Sequence, residues 1–339
     1  MAKASTGQKA LLLGMVFVAL MVPPVVLLLV GVQGLTSACI YGGMVAFVAS
    51  FYDFRLAAAL SIVAGVAATV AVLLSPYPLA GAMFMAVIAG GAAFTARQGL
   101  HSPVMIVPMF ISFMVVSPPQ ITNATSTLGV AMLSGITMAG CGLWVTGAAR
   151  VVLGASPSLP RKMRPLPVAF WYAGVMALVV GAATWAILTY VPTHRGAWLI
   201  LTIIVVLQPS THDTLKKTLH RLGGTVAGGL VSLIFLLVDL PSAAHLALAA
   251  ILLYVALLSR FVLGQPYWVY VLVLTPAIVL VSTHGPDTLD IVTARVEFTL
   301  MGGAIAIAIA LVAKWIIIRA RAHHGDVVTP PQGLNANPA

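Results

Sequence analysis

QPSTHDTLKKTLHRLGGTVAGGLVSLIFLLV, running from Gln208 to Val238, decides the class of this chain. It passes from a proline turn through a basic helical start (Lys216, Lys217, His220, Arg221) into a glycine-studded apolar run of membrane-spanning length. Thr211 or Asp213 is placed to cap the helix. The pairs Lys216/His220 and Lys217/Arg221 stand four apart, so one broad basic face is expected, turned toward anionic lipid headgroups or an arriving weak-acid substrate. Gly224 and Gly228, with Gly223 and Gly229 beside them, let a neighbouring helix approach closely or serve as a hinge; Gly302-Gly303 offers the same near the chain's end.

The rest of the chain extends this pattern. Of 339 residues, 61% are hydrophobic and 7% charged, with a mean hydropathy of +1.08, against roughly 25% charged in a soluble domain. That composition describes an integral membrane protein. Apolar runs between charge and Gly/Pro breaks fall at about 9–30, 35–51, 55–74, 79–97, 103–116, 127–150, 168–191, 196–208, 213–238, 243–263, 267–282 and 290–318. Alternating these segments from a cytoplasmic N-terminus leaves only Arg195 and Arg295 of the 17 lysines and arginines on the outer side. The net charge of +10 therefore reads as membrane orientation, since no clustered patch suits nucleic acid. Cys39 and Cys141 lie inside apolar runs and read as packing residues rather than a disulfide.

One composition shift divides the chain. Pro157, Pro160, Arg161, Lys162, Arg164 and Pro165 interrupt the apolar pattern, giving a transmembrane repeat over 1–153, a cytoplasmic linker over 154–167, a second repeat over 168–320 and a disordered cytoplasmic tail over 321–339. The expected fold is all-α, with twelve spans as two parallel six-helix repeats related by an axis along the membrane normal. The second and fifth segments of each half (35–51, 103–116, 196–208 and 267–282) are short. Short or interrupted spans at equivalent positions of two repeats place a transport pathway there, unless tilted neighbours extend into the loops.

No Walker phosphate loop, HExxH, CxxC or GxSxG pattern occurs, so no enzyme activity, cofactor or metal is expected. Glu297 is the acidic residue nearest an apolar helix interior, which makes it the proton-coupling candidate; the alternative is a headgroup-layer carboxylate paired with Arg195 or Arg295. Arg295 and Arg195 are candidates for receiving a substrate carboxylate. Trp198, Tyr267, Trp268 and Tyr270 concentrate in the short spans and either stack on an aromatic ring or form an interfacial belt, with Thr202, Gln208, Thr275 and Ser112 as hydrogen-bonding groups.

Trp198 followed by Thr202, then Gln208-Pro209-Ser210, Thr214, His220-Arg221-Leu222-Gly223-Gly224-Thr225 and Gly228, resembles the fusaric acid resistance and aromatic acid exporter family. Arg295-Val296-Glu297-Phe298-Thr299 leading to Gly302 is similar to that family's last span, which more often carries an aspartate two or three places after the arginine. The resemblance covers about 196–318; in the first half, Asp53 and Arg55 precede a helix without the Arg-Gly-Thr run. It implies a bacterial inner-membrane exporter of small aromatic carboxylic acids, driven by protons, often working with a periplasmic adaptor and an outer-membrane channel. Many members carry a large cytosolic domain, and no such segment is seen in this sequence. The competing expectations are a non-transporting scaffold or lipid-binding subunit of an envelope complex, and a passive channel. Membrane lipids are expected partners, nucleic acid is not, and a homo-oligomer is left open.

Overall fold

Proline and glycine set the breaks between helices. The computed structural model describes residues 5–121, 126–156, 159–191, 194–236, 241–282 and 288–324. Among them there is no strand. The helices are α1 (Thr6–Leu29), α2 (Thr36–Ser50), α3 (Phe54–Leu74), α4 (Pro78–Phe94), α5 (His101–Val104), α6 (Ile106–Val116), α7 (Thr127–Leu153), α8 (Leu166–Tyr190), α9 (Ala197–Val206), α10 (Thr211–Leu236), α11 (Ser242–Phe261), α12 (Tyr267–Ser282) and α13 (Thr288–His324). Seven stretches, lying in α1, α3, α4, α7, α8, α11 and α13, are long and apolar enough to cross a membrane, and the α5–α6 stretch, α9 and α12 are shorter apolar helices. The chain is an all-helical, multi-pass membrane protein.

One expectation is refined and two need correction. The fifth segment starts at His101 and is broken at Met105, because Pro108 has no N–H to bond the Val104 carbonyl one turn back. Cys39 on α2 and Cys141 on α7 are joined, with Cα atoms 5.3 Å apart; an apolar setting says nothing about whether two thiols from distant segments meet. Finally, α13 continues to His324, past the expected start of the tail. The remainder of the tail, and residues 239–240 and 283–287 of the expected outer connections, lie outside the described residues.

Small residues bring the helices together. In the first half, Gly42 of α2 faces the Met138 backbone of α7, Gly65 of α3 faces Gly135 and Ala139, and Gly142 faces Ser61, so α2, α3 and α7 pack as one unit. In the second half, Gly224 and Gly228 of α10 lie against the carbonyls of Trp268 and Leu272 on α12. The Leu272 carbonyl is the one that Pro276 leaves without an intrahelical donor. A glycine opposite it lets α10 approach the exposed oxygen. Gly302 meets Thr202 of α9, and Gly303 meets Leu222 of α10. The halves join where Gly90 and Gly181 seat α4 on α8 and where Phe51 stacks on Phe261 at 4.8 Å. The 154–165 connection is tied to the first half by the Ser156 hydroxyl on the Ser50 carbonyl, Leu159 N–H on the Phe51 carbonyl and Arg164 N–H on the Ala96 carbonyl.

Helix α1 carries Pro23 and Pro24 in its interior, which frees the Ala19 and Leu20 carbonyls. Trp144 Nε1–H of α7 donates to Ala19 O at 2.9 Å. Trp144→Phe keeps an aromatic ring, smaller than the indole, and removes this donor. It is expected to lower thermal stability by about 0.5–1 kcal/mol, read as a small fall in unfolding temperature with insertion unchanged.

Candidate functional site

Three of the four short segments converge. Tyr41 of α2 stacks on Phe110 of α6 with centroids 4.8 Å apart and meets Phe113 at 5.4 Å. Phe113 in turn meets Trp198 of α9 edge-on at 5.0 Å. Over the Trp198 ring lies the Arg295 guanidinium of α13, 4.2 Å from its centroid. Arg295 is only 3% exposed, and its Nε and Nη1 are buried with no hydrogen-bond partner. One turn along α9, Thr202 is fully buried and its Oγ1 is likewise unpartnered. Gly302 brings α13 up against Thr202; a Cβ there would stand 2.9 Å from the Thr202 Cβ.

The chemistry of this arrangement suits an anion. A guanidinium stacked on an indole keeps its edge N–H groups free for a planar acceptor, and the aromatic rings around it offer faces and edges to an aromatic ligand. Within the described residues no carboxylate forms an ion pair with Arg295. A buried cation without a counter-charge is costly.

The fourth short segment builds a separate cluster. Tyr267 and Tyr270 of α12 stack at 5.9 Å, the Arg221 Nη1 donates to the Tyr267 hydroxyl at 3.1 Å, and Lys217 Nζ lies 5.6 Å from the Tyr267 ring centroid. The sequence reading joined Trp198, Tyr267, Trp268 and Tyr270 in one aromatic set. The structure separates Trp198 from the two tyrosines and leaves Trp268 44% exposed on the outer surface. The single basic face is also divided. Lys216 is exposed and His220 half-buried, whereas Arg221 is 5% exposed and turned inward; one helical face of long side chains splits when a neighbour, here α12, covers one edge of it.

The helix that carries Arg221 is held by its preceding turn. Gln208 N–H donates to Thr214 Oγ1 at 2.9 Å, and its side-chain amide donates to the Val205 and Leu207 carbonyls, so Gln208 closes α9 rather than facing a ligand. Asp213, in the first turn of α10, pairs with Arg164 at 3.7 Å. Thr225 is buried, and the Thr275 hydroxyl, packed against Gly228, donates to the Val271 carbonyl. Gly223 is exposed with open space where a Cβ would stand, so it takes no part in the close approach.

Residues 166–309 match the family model described as fusaric acid resistance protein-like. The resemblance read from the Trp198, Gln208-Pro209 and Arg221-to-Gly228 signature is thus shown, and the fusaric acid resistance-like region contains Trp198, Thr202, Arg221, Tyr267 and Arg295. No curated protein and no solved structure matches the chain significantly.

Two expected members stand apart from both clusters. Glu297 is exposed on α13, two residues from Arg295 but on another face. Arg195 is half-buried in the 3-10 turn His194–Gly196, which packs against α13 and α6. Tyr41, Phe110 and Phe113 were not singled out in the sequence. Their signal was position, since all three lie in the short segments assigned to the pathway. Among the described residues no group of three or more His, Cys, Asp or Glu is placed to hold a metal.

Proposed function

We propose that the protein is a bacterial inner-membrane exporter of small aromatic carboxylic acids, of the fusaric acid or hydroxybenzoate kind. The observation that carries this reading is the buried Arg295 guanidinium, stacked on Trp198 and unpartnered on Nε and Nη1, at the edge of a cluster of aromatic rings. A carboxylate takes the free N–H edge and a ring takes the aromatic faces. A scaffold or lipid-binding subunit has no use for two inward-turned arginines, Arg221 and Arg295.

Twelve spans in two parallel repeats form the proposed frame, with both termini cytoplasmic. In its support, α2 and α3 pack against α7 as α9 and α10 do against α13, α6 lies on α3 as α12 lies on α10, and the halves meet through α4 on α8 and α1 on α11. Charge distribution supports the orientation. Proton antiport and a periplasmic adaptor feeding an outer-membrane channel complete the proposal, with Glu297 as the coupling carboxylate.

A second reading, passive anion conduction, is favoured by one observation: Glu297 is exposed rather than placed beside Arg295. Everted vesicles loaded with a pH-sensitive dye separate the two. Under antiport, benzoate addition collapses an imposed proton gradient and Glu297→Gln reduces that response at least tenfold. Benzoate flux that follows the membrane potential alone and ignores both the pH gradient and Glu297→Gln establishes conduction instead.

A further inference from the structure

We propose that Arg221, with Tyr267 and Lys217, forms a second anion-binding station, distinct from Arg295, at which an organic carboxylate halts on its way through the protein. Arg221 is 5% exposed. Its Nη1 is bonded to the Tyr267 hydroxyl at 3.1 Å, while its Nε is buried with no partner. Lys217 stands one turn earlier on the same helix, its Nζ over the same Tyr267 ring at 5.6 Å.

The charges around this pair leave it short of anions. Arg260 from α11 and Arg295 from α13 act on it electrostatically, and Lys217 and Arg164 both act on His101 from α5. Against these stands Asp213, half exposed and held by Arg164 at 3.7 Å. A buried Arg221 with a free Nε–H and a half-buried Lys217 sharing one tyrosine are matched by a bound carboxylate: it accepts from Arg221 Nε and neutralises Lys217.

The two arginines stand at different levels of the helix bundle. On antiparallel α10 and α13, Leu222 faces Gly303 whereas Gly229 faces Val292 and Val296. The eight residues from Arg221 to Gly229 rise about 12 Å along α10. Tyr270, stacked on Tyr267, feels the charges of both Arg221 and Arg295. Division of the cationic interior into two sites keeps each weak enough to release its ligand, and repulsion from an arriving anion assists departure from the other. The proposal rests on the export reading for the direction of traffic, but not for the binding itself.

Fluorine NMR of 4-fluorobenzoate, titrated into the purified full chain in lipid nanodiscs, tests it. Two bound signals per chain are expected. Arg221→Gln should weaken one about tenfold to a hundredfold, the loss of a hydrogen bond to a charged group, and leave the other within twofold; Arg295→Gln should do the reverse. Lys217→Gln and Tyr267→Phe should each weaken the Arg221 signal alone, which keeps the test available if Arg221→Gln fails to fold. One bound signal in the wild-type protein, or two that survive the Arg221, Lys217 and Tyr267 changes, overturns the station. Two signals without benzoate transport in vesicles overturn the export reading and leave the station standing.

Discussion

Arg295→Gln is expected to lower benzoate export from vesicles by about a hundredfold or more while leaving the protein at least as stable as the wild type. The loss follows from removal of the charge and the planar N–H edge, two charge-assisted hydrogen bonds at about 1.5–3 kcal/mol each. The retained stability follows from what Arg295 lacks. Its Nε and Nη1 are buried without partners and no carboxylate pairs with it among the described residues, so the stacking on Trp198 offsets only part of its desolvation cost. A residue kept for packing shows the opposite sign, function and unfolding temperature falling together. Arg295→Lys is expected to recover little of the transport, because an ammonium neither stacks flat on Trp198 nor offers two parallel donors. Parallel measurement of initial export rate and unfolding temperature in these two variants checks the prediction; a rate within threefold of wild type in Arg295→Gln rejects Arg295 as the substrate-binding group.

Gly42→Ala is expected to have the largest structural effect of any Gly→Ala change among the described residues. The new Cβ would fall on the Met138 carbonyl and its carbon in the backbone of α7, and a backbone cannot turn aside as a side chain can. The Cys39–Cys141 link, three residues away on both helices, holds α2 against the same stretch of α7. Helix α2 must therefore tilt about that point. Tyr41, adjacent to Gly42, moves with it and leaves Phe110 and Phe113. Overpacking of this kind costs about 1–3 kcal/mol, seen as a lower unfolding temperature together with a fall in export. Gly140→Ala on α7 is the control, since nothing lies within 4 Å of a Cβ there. It should be neutral or stabilising by up to about 1 kcal/mol. Equal behaviour of the two variants would falsify the close α2–α7 approach.

Much of the architecture was readable before any coordinates. Hydropathy located the helices to within a few residues because a bilayer requires long apolar runs and punishes charge within them. It also marked the second and fifth segments of each half as unusual, and those segments hold Tyr41, Phe110, Phe113, Trp198 and Tyr267. The break at Met105 was less visible, since Pro103 and Pro108 read equally well as the start of a helix. For the site, Arg295, Trp198 and Thr202 were chosen on chemistry and resemblance and are brought together. Glu297 was chosen because it was the acid nearest an apolar run, and a helix has outer faces as well as inner ones: two residues turn the chain by about 200°, from the buried Arg295 to the exposed Glu297.

By itself, then, the amino-acid sequence determined that this chain is helical, membrane-embedded and related over its second half to the fusaric acid resistance-like proteins, because composition, apolar run length and a local motif are properties of contiguous residues. Which side chains face one another was decided only in three dimensions. Arg295 meets Trp198 across 97 positions, Arg221 meets Tyr267 across 46, and Cys39 meets Cys141 across 102. Such pairings depend on helix rotation, set by where a glycine allows one backbone to touch another, and no one-dimensional pattern encodes that angle.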